Sequence, residues 1–257
     1  MFLVFLSHLG RPAESEAAPL GEVLGLDPYD VRLALKAPAP TFLTTVATRE
    51  LAADMVGRLR ARGHGAESLD EDLVVPASRM TTMNDFRLDA DGVHVARGFL
   101  PYGDALALLL AWHDLAGVDP AGAGRDTPSP PPATDGTPRV AARPRARTDN
   151  RPRSLRERVL YIFRRSGETP WIVRELHTNF SGLGPDRATT ARENFERLSL
   201  RLREAAPLAS YDERLLQRKV AERAMLGAVL RTAAAGIDLM AHMLTLTLAA
   251  QTQSPYR

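Results

Sequence analysis

The sequence predicts an α+β protein, and three observations carry that reading. Short runs rich in Val, Phe, Ile and Thr, such as Phe2–Leu6, Thr41–Val46 and Val159–Arg165, favour a pleated surface. Between them lie stretches with helix-start residues, Thr48 and Thr190, followed by apolar side chains three and four positions apart. A Pro- and Arg-rich stretch divides these elements into an earlier and a later group. The expected architecture is a small α/β sandwich over residues 1–71 and a hairpin-rich sheet-plus-helix domain assembled from residues 72–118 and 154–206. Residues 119–153 form a disordered insertion or linker, and residues 207–257 a helical C-terminal segment.

In chain order, a strand at Phe2–Leu6 leads into a helical stretch near Ala17–Ala37 that Pro28 is expected to break. A strand follows at Thr41–Val46. Thr48 then caps a helix whose apolar face is Leu51, Met55 and Leu59, and Gly63 and Gly65 end it. Strands are expected at Leu73–Val75, Phe86–Leu88 and Val93–Val95. The last two are joined through Asp89-Ala90-Asp91-Gly92, residues that tolerate a tight turn. Tyr102 to Leu115 reads as a helix. Beyond the insertion, Val159–Arg165 and Trp171–His177 form a hairpin. Thr190-Ala191-Arg192-Glu193 is a capping box that opens a helix with Phe195, Leu198 and Leu202 inward, and Pro207 stops it. A last helix is expected from Asp212 to about Ala250. A lone hairpin is marginal in water, so the later hairpin is expected to join the sheet begun by residues 73–95.

Residues Asp119 to Arg153 hold eight prolines and no aromatic side chain, too little apolar surface to offset the entropy of ordering. With 44% apolar and 25% charged residues, the rest of the 257-residue chain has enough material for a sizeable core. No cysteine is present, which excludes disulfides and thiolate chemistry and points to a reducing, cytoplasmic setting. Met1 to Leu6 lacks a basic flank and is shorter than a signal-peptide core, so it reads as a strand.

Residues 1–71 run strand, helical pair, strand, helix, strand. Leu24-Gly25-Leu26-Asp27, then Ala37-Pro38, Glu50-Leu51-Ala52, Leu59 and Gly63, resemble the C-terminal domain of the bacterial ribosomal stalk protein family. The resemblance covers about a quarter of the chain and implies a small α/β sandwich there. That family presents lysines on its first helical hairpin to contact translation factors. The matching stretch here is Asp27-Pro28-Tyr29-Asp30-Val31-Arg32, with acids in place of lysines, so the resemblance implies a fold and no activity.

Motifs for catalysis and cofactors are missing. The six histidines include no pair three or four apart, and no Cys completes a zinc site. His113-Asp114 are neighbours that a helix would point in different directions. Asp89, Asp91 and Gly92 lack the remaining ligands of a calcium loop. Gly63-His64-Gly65 follows a helix, the reverse of a dinucleotide loop, and neither a phosphate loop nor a Gly-x-Ser-x-Gly elbow occurs. No catalytic, cofactor or metal residue is therefore assigned. An enzyme, built from scattered carboxylates, is the third-ranked reading.

Two features point to partners. Of the 33 basic residues only Lys36 and Lys219 are lysines, and Arg suits bidentate phosphate contact, although a proteome rich in Ala, Arg and Pro explains the bias as well. Arg clusters over residues 139–158, and Arg143, Arg145, Arg147, Arg151 and Arg153 are the candidate nucleic-acid contacts, with no aromatic side chain within the Pro-rich stretch to stack bases. Pro128-Ser129-Pro130-Pro131-Pro132 also has the composition of a polyproline ligand. In the last helix, polar side chains at Arg231, Asp238, His242 and Thr245 draw one narrow stripe on an otherwise apolar cylinder. Arg231 and Asp238 speak against a membrane span. The leading expectation is a non-catalytic interaction or scaffold protein associating with itself or a protein partner through Leu230, Ile237, Met240 and Leu244. Burial of this helix in the protein's own core ranks second, and nucleic-acid association through the Arg segment is the alternative function.

Overall fold

The computed structural model describes residues 1–36, 38–96, 98–114, 156–217 and 233–253. The expected insertion at residues 119–153, with its polyproline run and candidate arginines, lies outside them, as do Leu230 and Arg231. The chain is α+β.

The N-terminal part follows the expected order: β1 (Phe2–His8), α1 (Ala13–Leu24), α2 (Pro28–Leu35), β2 (Thr41–Val46), α3 (Arg49–Ala61) and β3 (Gly65–Asp70). The strands form an antiparallel sheet of order β2-β1-β3, with Val4 opposite both Thr44 and Ser68. Local chemistry sets the helix ends. Gly25, in the left-handed region at φ 66°, closes α1, and the Asp27 carboxylate accepts the Tyr29 N–H at 2.7 Å to open α2. The expected break falls at residues 25–27, directly before Pro28, which begins α2 because the first helical turn has no use for its missing N–H. The Thr48 hydroxyl caps α3 by accepting the Leu51 N–H at 3.3 Å.

The central sheet has order β11-β8-β9-β10-β4. It takes β4 (Thr81–Thr82) and β8 (Ala105–Asp114) from the earlier part of the chain. From the later part it takes β9 (Arg156–Arg164), β10 (Trp171–Arg174) and β11 (Ser210–Asp212). The later hairpin thus pairs with β8 and β4. Residues 86–95 instead build a separate antiparallel sheet, β5 (Phe86–Leu88), β6 (Gly92–Val95) and β7 (Gly98–Pro101).

Three other expectations are corrected. The stretch read as a helix at 102–115 is β8. Leucine and alanine favour a helix locally, but here Ala107, Leu109 and Ala111 face one core while Leu108 and Leu110 face another. A strand buried on both faces carries no alternation to distinguish it from a buried helix. Leu73–Val75 is no strand: a 3-10 turn at Glu71–Leu73 runs into a strap at residues 74–77. Asp212 ends β11 instead of starting a helix, and its carboxylate holds Arg214, which also donates to the Ala39 carbonyl at 2.7 Å.

Among the described residues, two further helices flank the central sheet. α4 (Ala191–Ala205) starts at the expected capping box, with Thr190 accepting the Glu193 N–H at 3.2 Å. It buries Phe195, Leu198 and Leu202 against Leu108, Leu160, Ile162 and Trp171 on one face of the central sheet. α5 (Ala233–Gln253) covers the opposite face, meeting Leu109, Val159, Tyr161 and Phe163, and on its far side it meets Leu3, Phe5 and Leu69 of the N-terminal sheet. α1–α3 back that sheet in turn through Leu20, Val31, Val56 and Leu59. A helix held between two sheets must be apolar nearly all round, which accounts for the composition of α5. Among the described residues, no helix is long and apolar enough to cross a membrane.

Candidate functional site

Ile237, Met240 and Leu244 lie 7%, 2% and 0% exposed in the core between the two sheets. This is the intramolecular burial that the sequence reading ranks second, and these three side chains present no surface to a partner. Each contributes roughly 1.5–3 kcal/mol of burial to the chain itself. Leu246 is the exposed large apolar residue of α5, at 37%.

The polar stripe of α5 has a use inside the protein. Asp238 is buried and accepts the Tyr161 hydroxyl at 2.6 Å on one oxygen and the Ala77 N–H at 2.9 Å on the other. Because the Tyr161 hydroxyl donates to Asp238, its oxygen accepts from His113 Nε2, 2.5 Å away, so that nitrogen carries a proton. Burial, and next the Asp238 carboxylate, push the Tyr161 phenol well above its ordinary range. One turn on, His242 Nε2 takes the Val75 N–H at 3.1 Å while its ring meets Phe163 edge-on at 4.9 Å. Thr245 and Thr247 donate back to carbonyls of their own helix.

Three other ionic clusters are likewise closed. Glu16 is buried and accepts Arg62 at 2.8 and 3.0 Å and His64 Nε2 at 3.1 Å, while the Gly10 N–H donates to His64 Nδ1 at 3.3 Å. Burial opposes ionisation of Glu16, but the bonds from Arg62 and His64 outweigh it and hold the carboxyl below its ordinary range. Glu157, fully buried, is bound by Arg174 and by His177 Nδ1 at 3.1 Å. Asp104 binds Arg164 at 2.6 Å and the Ser166 N–H at 2.8 Å, and Arg164 also holds Glu168. Above this last cluster lies an open cleft of about 510 Å³ lined by Thr81, Phe99, Arg164, Glu168 and Trp171. Its cation is already committed to two carboxylates.

The remaining motifs resolve into structure. Asp89 pairs with Arg87 and His94 across the β5–β6 turn, at 2.9 Å each. Gly63-His64-Gly65 forms the α3–β3 connection, with Gly63 at φ 88°. Among the described residues, no group of three or more His, Asp or Glu is placed to hold a metal ion.

The exposed feature that the sequence reading passed over is on α2 and the turn that enters it. Tyr29 and Leu33 are 62% and 46% exposed, four residues apart on one face of the helix, and Leu26, 38% exposed, comes just before the Asp27 cap. Arg32 lies over the Tyr29 ring at 5.6 Å. The opposite face buries Val31 and Leu35. The spacing was legible, but the same residues also fit a buried face. No protein family, curated protein or solved structure matches this chain.

Proposed function

We propose that the chain is a non-catalytic interaction protein, and that the contact surface is the outer face of α2 and not α5. The observation that carries this reading is the exposed pair Tyr29 and Leu33 on one face of α2, with Leu26 exposed just ahead of the Asp27 cap. The buried ionic clusters support it: each is bound up within the chain, so none stands ready to hold a substrate. Tyr29 suits such a contact, with a wide apolar ring, a polar tip and few rotamers to immobilise.

The test compares the full chain with a triple variant, Leu26→Ser, Tyr29→Ser and Leu33→Ser. Circular dichroism and melting temperature check that the fold is intact, since these side chains face outward. Sedimentation across a concentration series reads self-association, and retention of proteins on the immobilised chain reads other partners. The proposal expects the triple variant to lose whichever association the parent shows. Equal behaviour of the two chains in both measurements overturns it.

A further inference from the structure

We infer that His242 is an acid-sensitive hook joining α5 to the strap of residues 74–77. The strap leaves β3 through the 3-10 turn at Glu71–Leu73 and crosses α5 before β4. Two backbone amides fasten it: Ala77 to the Asp238 carboxylate at 2.9 Å, and Val75 to His242 Nε2 at 3.1 Å. A ring nitrogen that accepts an N–H must hold a lone pair, so the Val75 bond requires a neutral imidazole with its proton on Nδ1. The Val75 carbonyl stands 3.2 Å from the same Nε2 and has no use for that lone pair. Adding a proton reverses both relations. Nε2–H then turns to the carbonyl, and the Val75 N–H loses its acceptor in a half-buried position.

The surroundings make neutral the resting state. The Phe163 ring meets His242 from β9. Tyr161 of β9, bonded to Asp238, and His113 of β8, bonded to the Tyr161 hydroxyl, are the polar groups nearby. The strap contributes Val74, Val75, Pro76 and Ala77, with no ionisable side chain, and β1 and β3 contribute Leu3, Phe5 and Leu69 to the same core. The charge acting on the ring is Asp238, one turn back on α5. Burial lowers the tendency of His242 to protonate, and this outweighs the support that the Val75 carbonyl and Asp238 give the cation.

The experiment is amide hydrogen exchange on the full chain at about pH 7.5 and in steps down to about pH 4, corrected for intrinsic rates, so that a histidine lowered by burial is still titrated. Protection at Val75 is expected to fall about tenfold in acid, the factor one hydrogen bond is worth, while Ala77, held by a carboxylate, keeps its protection. His242→Gln supplies a non-titrating acceptor and is expected to remove the difference. Unchanged Val75 protection, or an equal loss at Ala77, overturns the inference. So does the same acid loss in the His242→Gln variant. Ring nitrogen shifts of the unaltered chain give an independent reading: a proton on Nε2 at neutral pH refutes the hook whether or not the variant folds.

Discussion

Replacing Tyr161 by Phe removes one oxygen and leaves the packing volume almost unchanged, so the loss can be assigned to hydrogen bonding. That oxygen donates to Asp238 at 2.6 Å and accepts from His113 at 2.5 Å, with all three side chains buried. Leaving a buried polar group without its partner costs about 1–3 kcal/mol. Two groups are affected here, so Tyr161→Phe is expected to lose about 2–6 kcal/mol, a large part of the stability of an ordinary domain. Urea unfolding followed by circular dichroism measures it, with an unchanged slope confirming that the unfolded state is the same. Changing Asp238 to Leu in the same background should cost less than the two single losses added together, because the pair goes as a unit. The pH dependence has a definite sign. The phenol sits well above its unfolded range near 10, so its contribution is complete below about pH 10 and is lost as pH rises beyond it. Tyr161→Phe should lack this alkaline component. A loss under about 0.5 kcal/mol, the usual range of surface changes, would refute the role given to the chain of bonds.

Two other outcomes follow from the core and the N-terminal clasp. Leu244→Ala should lower stability by about 2–5 kcal/mol, with a melting temperature independent of protein concentration, since the side chain is fully buried within one chain; concentration dependence would return α5 to the role of an association element. Glu16 has its carboxyl held below the unfolded value of 4.5, so it stabilises above that pH and the contribution fades as pH falls through the folded value. Glu16→Gln should therefore flatten the acid limb of a pH–stability curve, and an unchanged limb would count against the clasp.

Local signals located the elements best where a side chain bonds to the backbone beside it. Thr48 and Thr190 cap the helices expected of them, and the Asp89–Gly92 turn joins β5 and β6. The reading went astray where distant partners decide. Ala105–His113 has helical propensity throughout, yet it lies between β9 and β11, with cores on both faces. Pro28 carried two meanings, breaker or first residue, and Asp27 just before it settled the choice by capping. The narrow stripe on α5 was visible as a spacing, but its partners Tyr161, Val75 and Ala77 lie 77 to 167 residues away along the chain and leave no local trace. Tyr29 and Leu33 are legible as a helical face, and only the packing of Val31 and Leu35 shows which side of α2 meets water.

The place of α5 also bears on how the molecule is made. Translation delivers β1 well before α5, and its Leu3 and Phe5 wait for Ile237 and Met240, which follow more than 230 residues later. Until then the N-terminal sheet, already backed by its three helices, offers an uncovered greasy face, and the central sheet offers another through Val159, Tyr161 and Phe163. Each bare face invites contact with a neighbouring nascent chain. Closure over such a sequence separation is slow, so synthesis of this protein exposes a longer interval of stickiness than one whose layers mature in the order they emerge from the ribosome.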